Sequence, residues 1–384
     1  MEKTADVVII GGGIIGLSIA YYLGLKKAGR IVLFEKGQLG EGSTSRCVGG
    51  IRTQFSTEIN ILFSLESLKT FEQFKEEFGI DPEYKRVGYL FLATTDDERD
   101  LFKKNMKLQK QFNIPVEALA PDEIRARWPY LRTDDILEGA FCSWDGYAGP
   151  NEVLTGFANG ARSAGVKIYE GTEVMRILSA KGKIEGVRTR EREISTSLVI
   201  NAAGPYAGSI GEMVGVNIPV KPIRRQVFIT APFYLTGHAI PLTIDFHRGW
   251  YFRQEGEGLL LSGPLDRESS FNLSVDWEAM AETSENAMHR VPILEAAHIA
   301  RGWAGLYEIS PDHHAILGEV PGIKGFILAN GFSGHGFQHS PAVGNVIAEL
   351  IMDGETTTAD ISSLSIERFE RGDLLVEHMT AFKE

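Results

Sequence analysis

The amino-acid sequence predicts an α/β protein (α+β overall) in two parts. One is a domain with a central parallel sheet, assembled from separated pieces of chain. The other is an inserted domain with a large, mostly antiparallel sheet. Three observations predict this: a glycine-laced strand–turn–helix opens the chain, an α/β pattern returns at 149–204 and again from 326, and strand-rich stretches at 87–93 and 220–263 interrupt it.

The opening run VVII (7–10) is short and wholly apolar, as a buried parallel strand requires, and Gly11, Gly13 and Gly16 hold the Gly-x-Gly-x-x-Gly spacing. Ile14, Ile15, Leu17, Ile19, Ala20 and Leu23 continue as a helix. Gly11 permits the tight turn, Gly13 removes the side chain that would hold a pyrophosphate off the backbone, and Gly16 lets the helix pack on the strand. The helix N-terminus then offers unpaired N–H groups and a positive dipole end to phosphates. A second strand, 31–34, ends at Glu35, nineteen positions after Gly16 (35 − 16), where an acidic acceptor can take the ribose hydroxyls. This is a Rossmann-like dinucleotide cradle. An acid at that place disfavours a 2'-phosphate, and the motif alone leaves FAD and NAD open.

A helix over 57–78 follows, with Ile61, Leu62, Leu65, Leu68, Phe71, Phe74 and Phe78 on its apolar face. Strand-like 87–93, an amphipathic helix near 97–112 and a connection marked by Pro115, Pro121 and Pro129 read as another layer. A helix over 149–164, a strand at 166–169, a hairpin around Lys181-Gly-Lys and the strand 197–204 restore the α/β pattern. In the second strand-rich block, alternation along 249–253 puts Trp250 and Phe252 on one face and Tyr251 and Arg253 on the other, with Tyr251 offered to a substrate. Finally 326–330 reads as a buried strand running into the loop GFSGHGFQHSP, with Ser340 and Pro341 as cap and first position of a last helix. The predicted division is 1–84, 140–218 and 301–384 for the cofactor domain, with 85–139 and 219–300 forming the substrate domain.

Composition narrows the function. With 43% hydrophobic and 23% charged residues the chain is an ordinary globular protein, and its net charge of −12 argues against nucleic acid as a partner. No run reaches the roughly 18 apolar residues of a membrane span, and the expectation is a cytoplasmic protein. Cys47 and Cys142 have neither disulfide-framework nor zinc spacing, and the pairs His313–His314 and His335–His339 lack further ligands at suitable spacing, so no metal is expected.

The segments VVIIGGGIIGLSIAYYL, GEGSTSRCVGGIRTQF, VINAAGPYA, RGWAGLYEISPDHHAILG, GFSGHGFQHSPAVGN and IERFERG resemble the glycine/D-amino-acid oxidase-like (DAO) family of flavoproteins over essentially the whole chain. Within it they are similar to the sarcosine oxidase beta-subunit type and the beta subunit of archaeal dye-linked L-proline dehydrogenase. The resemblance implies FAD as cofactor and oxidation of an amine beside a carboxylate. It implies cofactor contacts at Gly11, Gly13, Ile14, Ile15, Gly16, Glu35 and Lys36, and at Ser43, Thr44, Ser45, Arg46, Gly50 and Ile51. Further contacts are implied at Val174, Ala202, Ala203 and Gly204, and at Gly334, His335, Gly336, Phe337 and Gln338 along the flavin edge. Arg52 matches the arginine that grips the substrate carboxylate; Tyr251 and His335 complete the expected catalytic set.

Three positions depart from the family. Gly305 stands where monomeric sarcosine oxidases attach flavin through Cys, Tyr307 where glycine oxidase has Arg, and Gln338 where sarcosine oxidase has Lys. The expected reaction is hydride transfer from the Cα of a small, secondary amino acid to flavin, leaving an imine. Oxygen, a dye or quinone, or a partner subunit remains open as electron acceptor, as do hetero- and homo-oligomers. The rival readings are a 2-hydroxy-acid or glycerol-phosphate dehydrogenase of the same fold, a flavin-carrying subunit of a multi-chain dehydrogenase, and an NAD-linked enzyme.

Overall fold

The computed structural model describes residues 3–235 and 239–380. A six-stranded sheet runs in the order β18 (Ile316–Glu319), β19 (Phe326–Asn330), β12 (Val199–Asn201), β1 (Val7–Ile10), β2 (Ile31–Phe34), β8 (Lys167–Tyr169). All neighbours are parallel except β18 against β19. β1 and β2 are buried on both faces, which is why they read as unbroken apolar runs. Helices α1 (Ile14–Leu25), α2 (Glu58–Phe78), α5 (Pro150–Ser163) and α8 (Gly336–Asp353) share one apolar core with this sheet. The three-stranded meander β9 (Val174–Ala180), β10 (Lys183–Thr189), β11 (Glu193–Ser195) and α6 (Ala207–Glu212) share a second core with it.

The eight-stranded sheet runs β17 (Ile299–Ile309), β13 (Lys221–Thr230), β16 (Gly258–Ser269), β15 (Trp250–Glu255), β14 (Leu242–Asp245), β4 (Tyr89–Ala93), β6 (Glu138–Cys142), β5 (Val116–Leu119). Only β14 against β4 is parallel. Period-two alternation divides its side chains. Trp250, Phe252, Leu90 and Leu92 enter one core with α4 (Pro121–Arg127) and α7 (Trp277–Arg290), while Tyr251, Tyr89, Phe91 and Ile244 enter another with α3 (Asp96–Gln111). β17, which crosses the boundary drawn at 301, is the edge strand of this sheet. β6 belongs to it too. A two-stranded pair, β3 (Gly50–Ile51) with β7 (Gly146–Tyr147), and the short helix α9 (Glu367–Arg371) complete the architecture.

One local expectation is corrected. The last helix begins at Gly336, with His335 as its cap, and Pro341 lies inside it rather than at its first position. Pro341 has no N–H for the Phe337 carbonyl one turn back, and the Ser340 hydroxyl donates to that carbonyl instead, at 2.8 Å. The Ser–Pro pair thus repairs a helix interior.

Candidate active site

The carboxyl ends of β1, β12 and β19 open onto a cavity of about 700 Å³ that is also walled by β13, β15 and β17 of the larger sheet. Both glycine-laced helix tips reach it, through Gly13–Ile15 of α1 and Gly334–Gln338 of α8. The two helices cross tightly. Ser18 donates to the Ser340 carbonyl at 2.7 Å, and a Cβ on Gly344 would stand 2.1 Å from the Ser18 hydroxyl.

Gly11 has φ +115°, and a Cβ there would lie 2.3 Å from the Ala202 carbonyl oxygen. The N–H groups of Gly13 and Ile15 at the α1 tip, and of Gly336, Phe337 and Gln338 at the α8 tip, have no protein acceptor among the described residues. Two positive dipole ends with idle donors on one cavity suit a dinucleotide with an electron-accepting ring at its far end. Glu35 accepts from Gly12 N–H at 2.7 Å and from Gly37 N–H at 2.8 Å. Each carboxylate oxygen keeps capacity for a ribose hydroxyl.

Most of the expected contact residues line this cavity: Gly11, Gly13, Ile14, Ile15, Glu35, Lys36, Ser43, Thr44, Arg46, Gly50, Val174, Ala202, Ala203, Gly204, Gly334, His335, Gly336, Phe337 and Gln338. Three do not line it. Gly16 faces the Gly11 carbonyl oxygen, 2.0 Å from where its Cβ would be, Ile51 is buried in the core behind, and Ser45 is exposed. The Ser43–Arg46 turn is pinned to β17: Ser43 donates to the Leu306 carbonyl at 2.7 Å, Arg46 donates to Ala304, and Trp303 donates to the Arg46 carbonyl.

At the other end Arg52, 7% exposed, lays its guanidinium 3.8 Å over the Phe55 ring. It donates to the Gln54 and Met379 carbonyls, and its backbone N–H donates to Gln338 Oε1 at 2.8 Å. Burial lowers its pKa, while the surrounding acidic groups, Glu377 foremost, oppose that. Burial also drives the Tyr89 and Tyr307 phenols far up, so both are neutral, and Tyr307 is hydrogen-bonded to Tyr251. The expected face of β15 is present: Tyr251 lines the cavity 4.5 Å beneath the Arg225 guanidinium. Burial and the neighbouring Arg52 hold the pKa of His335 well below that of an ordinary histidine. Such an imidazole is neutral and a poor acceptor for an ammonium proton. Cys47 also faces the cavity, its thiol pushed up to about 11 by burial.

Sequence reading did not find Tyr89, Arg225, Glu308 or Met379, all of which line the cavity. Arg225 could have been suspected from the adjacent charges Arg224-Arg225 in an otherwise buried strand.

Fold and cavity together define an oxidoreductase with a cavity suited to a dinucleotide. The chain belongs to the family of FAD-dependent oxidoreductases (DAO), matching it over residues 6–350. It is similar to the L-proline dehydrogenase from P. horikoshii, with 35% identity and a TM-score of 0.91 over 97% of this chain and 100% of that one. It is 32% identical to FAD-dependent oxidoreductase domain-containing protein 1 of Xenopus laevis, over 98% of this chain and 84% of that protein. It is 30% identical to mitochondrial dimethylglycine dehydrogenase of Rattus norvegicus, over 92% of this chain and 44% of the relative. Among the described residues no helix is long and apolar enough to cross a membrane.

Proposed function

We propose that this protein oxidises a small amino acid at Cα, with a secondary amine such as proline or sarcosine as substrate and an imine as product. The observation that carries the reading is that a buried arginine, Arg52, shares one cavity with the free N–H groups of the α8 tip. When bound there, FAD accepts the hydride equivalent. The α1 tip, Glu35 and Val174 hold the adenosine diphosphate end, and Gly334–Gln338 hold the flavin's pyrimidine edge.

Arg52 fixes the substrate carboxylate with the part of its fork not given to Gln54 and Met379. The substrate nitrogen has to react as the neutral amine. Arg52 and Arg225, both buried at this end, disfavour an ammonium there, and enclosure adds to the effect. Tyr89, Tyr251 and Tyr307 orient the amine and exclude water, and burial keeps Tyr89 and Tyr307 uncharged. The hydroxy-acid reading needs a base beside the substrate, and the depressed His335 serves that poorly.

The test is an anaerobic screen of amino acids, including L- and D-proline and sarcosine, following the flavin absorbance. Bleaching by lactate or glycerol phosphate but by no amino acid would replace this reading.

A further inference from the structure

Glu308 is a half-buried acid that the proposed reaction does not use. It sits on β17, and its carboxyl accepts the N–H of Gly331 at 3.0 Å and that of Phe332. On its other side is the turn after β12, where Gly204 has φ +55° and a Cβ would lie 3.9 Å from Glu308 Oε2. β12 and β19 are sheet neighbours, so Glu308 bridges the turns at their two carboxyl ends. One turn belongs to the adenosine diphosphate side of the cavity and the other leads into the flavin edge, which sets Glu308 against the middle of the bound dinucleotide.

Part of the carboxyl opens onto the cavity, while protein encloses the rest. That enclosure pushes it up to about 7, opposed only by the Gly331 and Phe332 N–H groups. The elements packed around it carry Lys221, Arg224 and Arg225 on β13, Tyr206 beyond Gly204, Tyr307 on β17 and His335 at the α8 tip. Lys36 and Arg46 line the same cavity. A carboxylate here would face the anionic diphosphate, whereas a neutral carboxyl can donate a hydrogen bond to it.

We propose that Glu308 is a cofactor-binding residue that gives its carboxyl proton as a hydrogen bond to an oxygen of the diphosphate–ribityl stretch of FAD, so that FAD is held less tightly once Glu308 ionises. This rests on the cofactor placement above and is independent of which substrate is oxidised. The sign follows from linkage: FAD favours the protonated form, so binding raises the carboxyl's pKa, and the affinity for FAD falls as pH rises through the value of the free protein.

The experiment is a titration of the deflavinated full chain with FAD, followed by flavin fluorescence in the absence of substrate, from pH 5.5 to 9. For the wild type, affinity should be level below pH 7 and fall by up to tenfold per unit above it. Glu308→Gln keeps a neutral donor at every pH, so its curve should be flat and within a few-fold of the low-pH wild type. A flat wild-type curve would overturn the proposal and needs no variant to fold. An affinity that rises with pH, or the same slope in Glu308→Gln, would overturn it equally. Failure of the amino-acid screen would leave these outcomes untouched, which separates the two readings.

Discussion

Replacing Arg52 by Met keeps an unbranched apolar stem but removes the charged fork, including the guanidinium that lies over Phe55. Losing one partner of a buried, hydrogen-bonded charge pair costs about 2–5 kcal/mol. Two features of the site locate the effect in that range. At 7% exposure the guanidinium is little screened, which favours the upper end. Its donation to the Gln54 and Met379 carbonyls means that an incoming carboxylate gains only the remaining donors, which pulls the value down. A loss of about 2–3 kcal/mol corresponds to about 30- to 150-fold in the apparent dissociation constant for substrate. The assay is anaerobic stopped-flow reduction of the flavin at varied amino-acid concentration, together with flavin content and thermal unfolding of the same preparations. A normal flavin content with unchanged apparent affinity would refute the carboxylate assignment. So would an equal loss for an amine that carries no carboxylate.

Other expectations concern the scaffold. Ser340→Ala should leave the Phe337 carbonyl without a donor and cost about 1–3 kcal/mol in denaturant unfolding, and Ser340→Ala with Pro341→Ala should restore most of it because the second substitution returns a backbone N–H to the helix. Gly344→Ala would force a methyl to within 2.1 Å of the Ser18 hydroxyl, so it should lower stability by about 1–3 kcal/mol and weaken FAD retention by spreading the helix tips; unchanged FAD affinity would show that the crossing does not set the tips. Asp145, buried beside Thr53 and Gln54, is raised by burial from 3.8 to about 6. Its folded form favours the proton, so the stability it contributes is full below pH 4 and lost as pH rises through 6, by about 3 kcal/mol at most. The difference in unfolding free energy between Asp145→Asn and the wild type should therefore shift in favour of the variant between pH 4 and 6 and level off above; a constant difference would contradict this.

The cradle was legible because its meaning is local. Gly11, Gly13 and Glu35 are fixed by the geometry of a strand, a turn and a helix within the stretch 7–35. The alternation at Trp250–Arg253 was legible for the same reason, since period two needs no knowledge of the neighbouring strand. Ser340–Pro341 misled because the pair is a local signature of a helix start, and only the whole helix shows that Gly336 begins it. β17 carries Arg301, Gly302 and Gly305 in an uneven apolar pattern, and its identity as an edge strand comes from β13, some seventy residues earlier.

By itself the sequence determined that this is an FAD-dependent oxidoreductase with a glycine-laced turn after a strand of a parallel sheet, and that a mostly antiparallel sheet accompanies it. Only the tertiary structure decided what stands around the reacting end. There Arg52, Tyr89, Arg225, Tyr251, His335 and Met379 come together from six separate stretches of chain, with Glu308 farther along the same cavity. Burial then sets which of them carry charge: enclosure by distant residues keeps His335 neutral and raises Glu308. Desolvation depends on everything that surrounds a group, and sequence neighbours supply little of that surrounding.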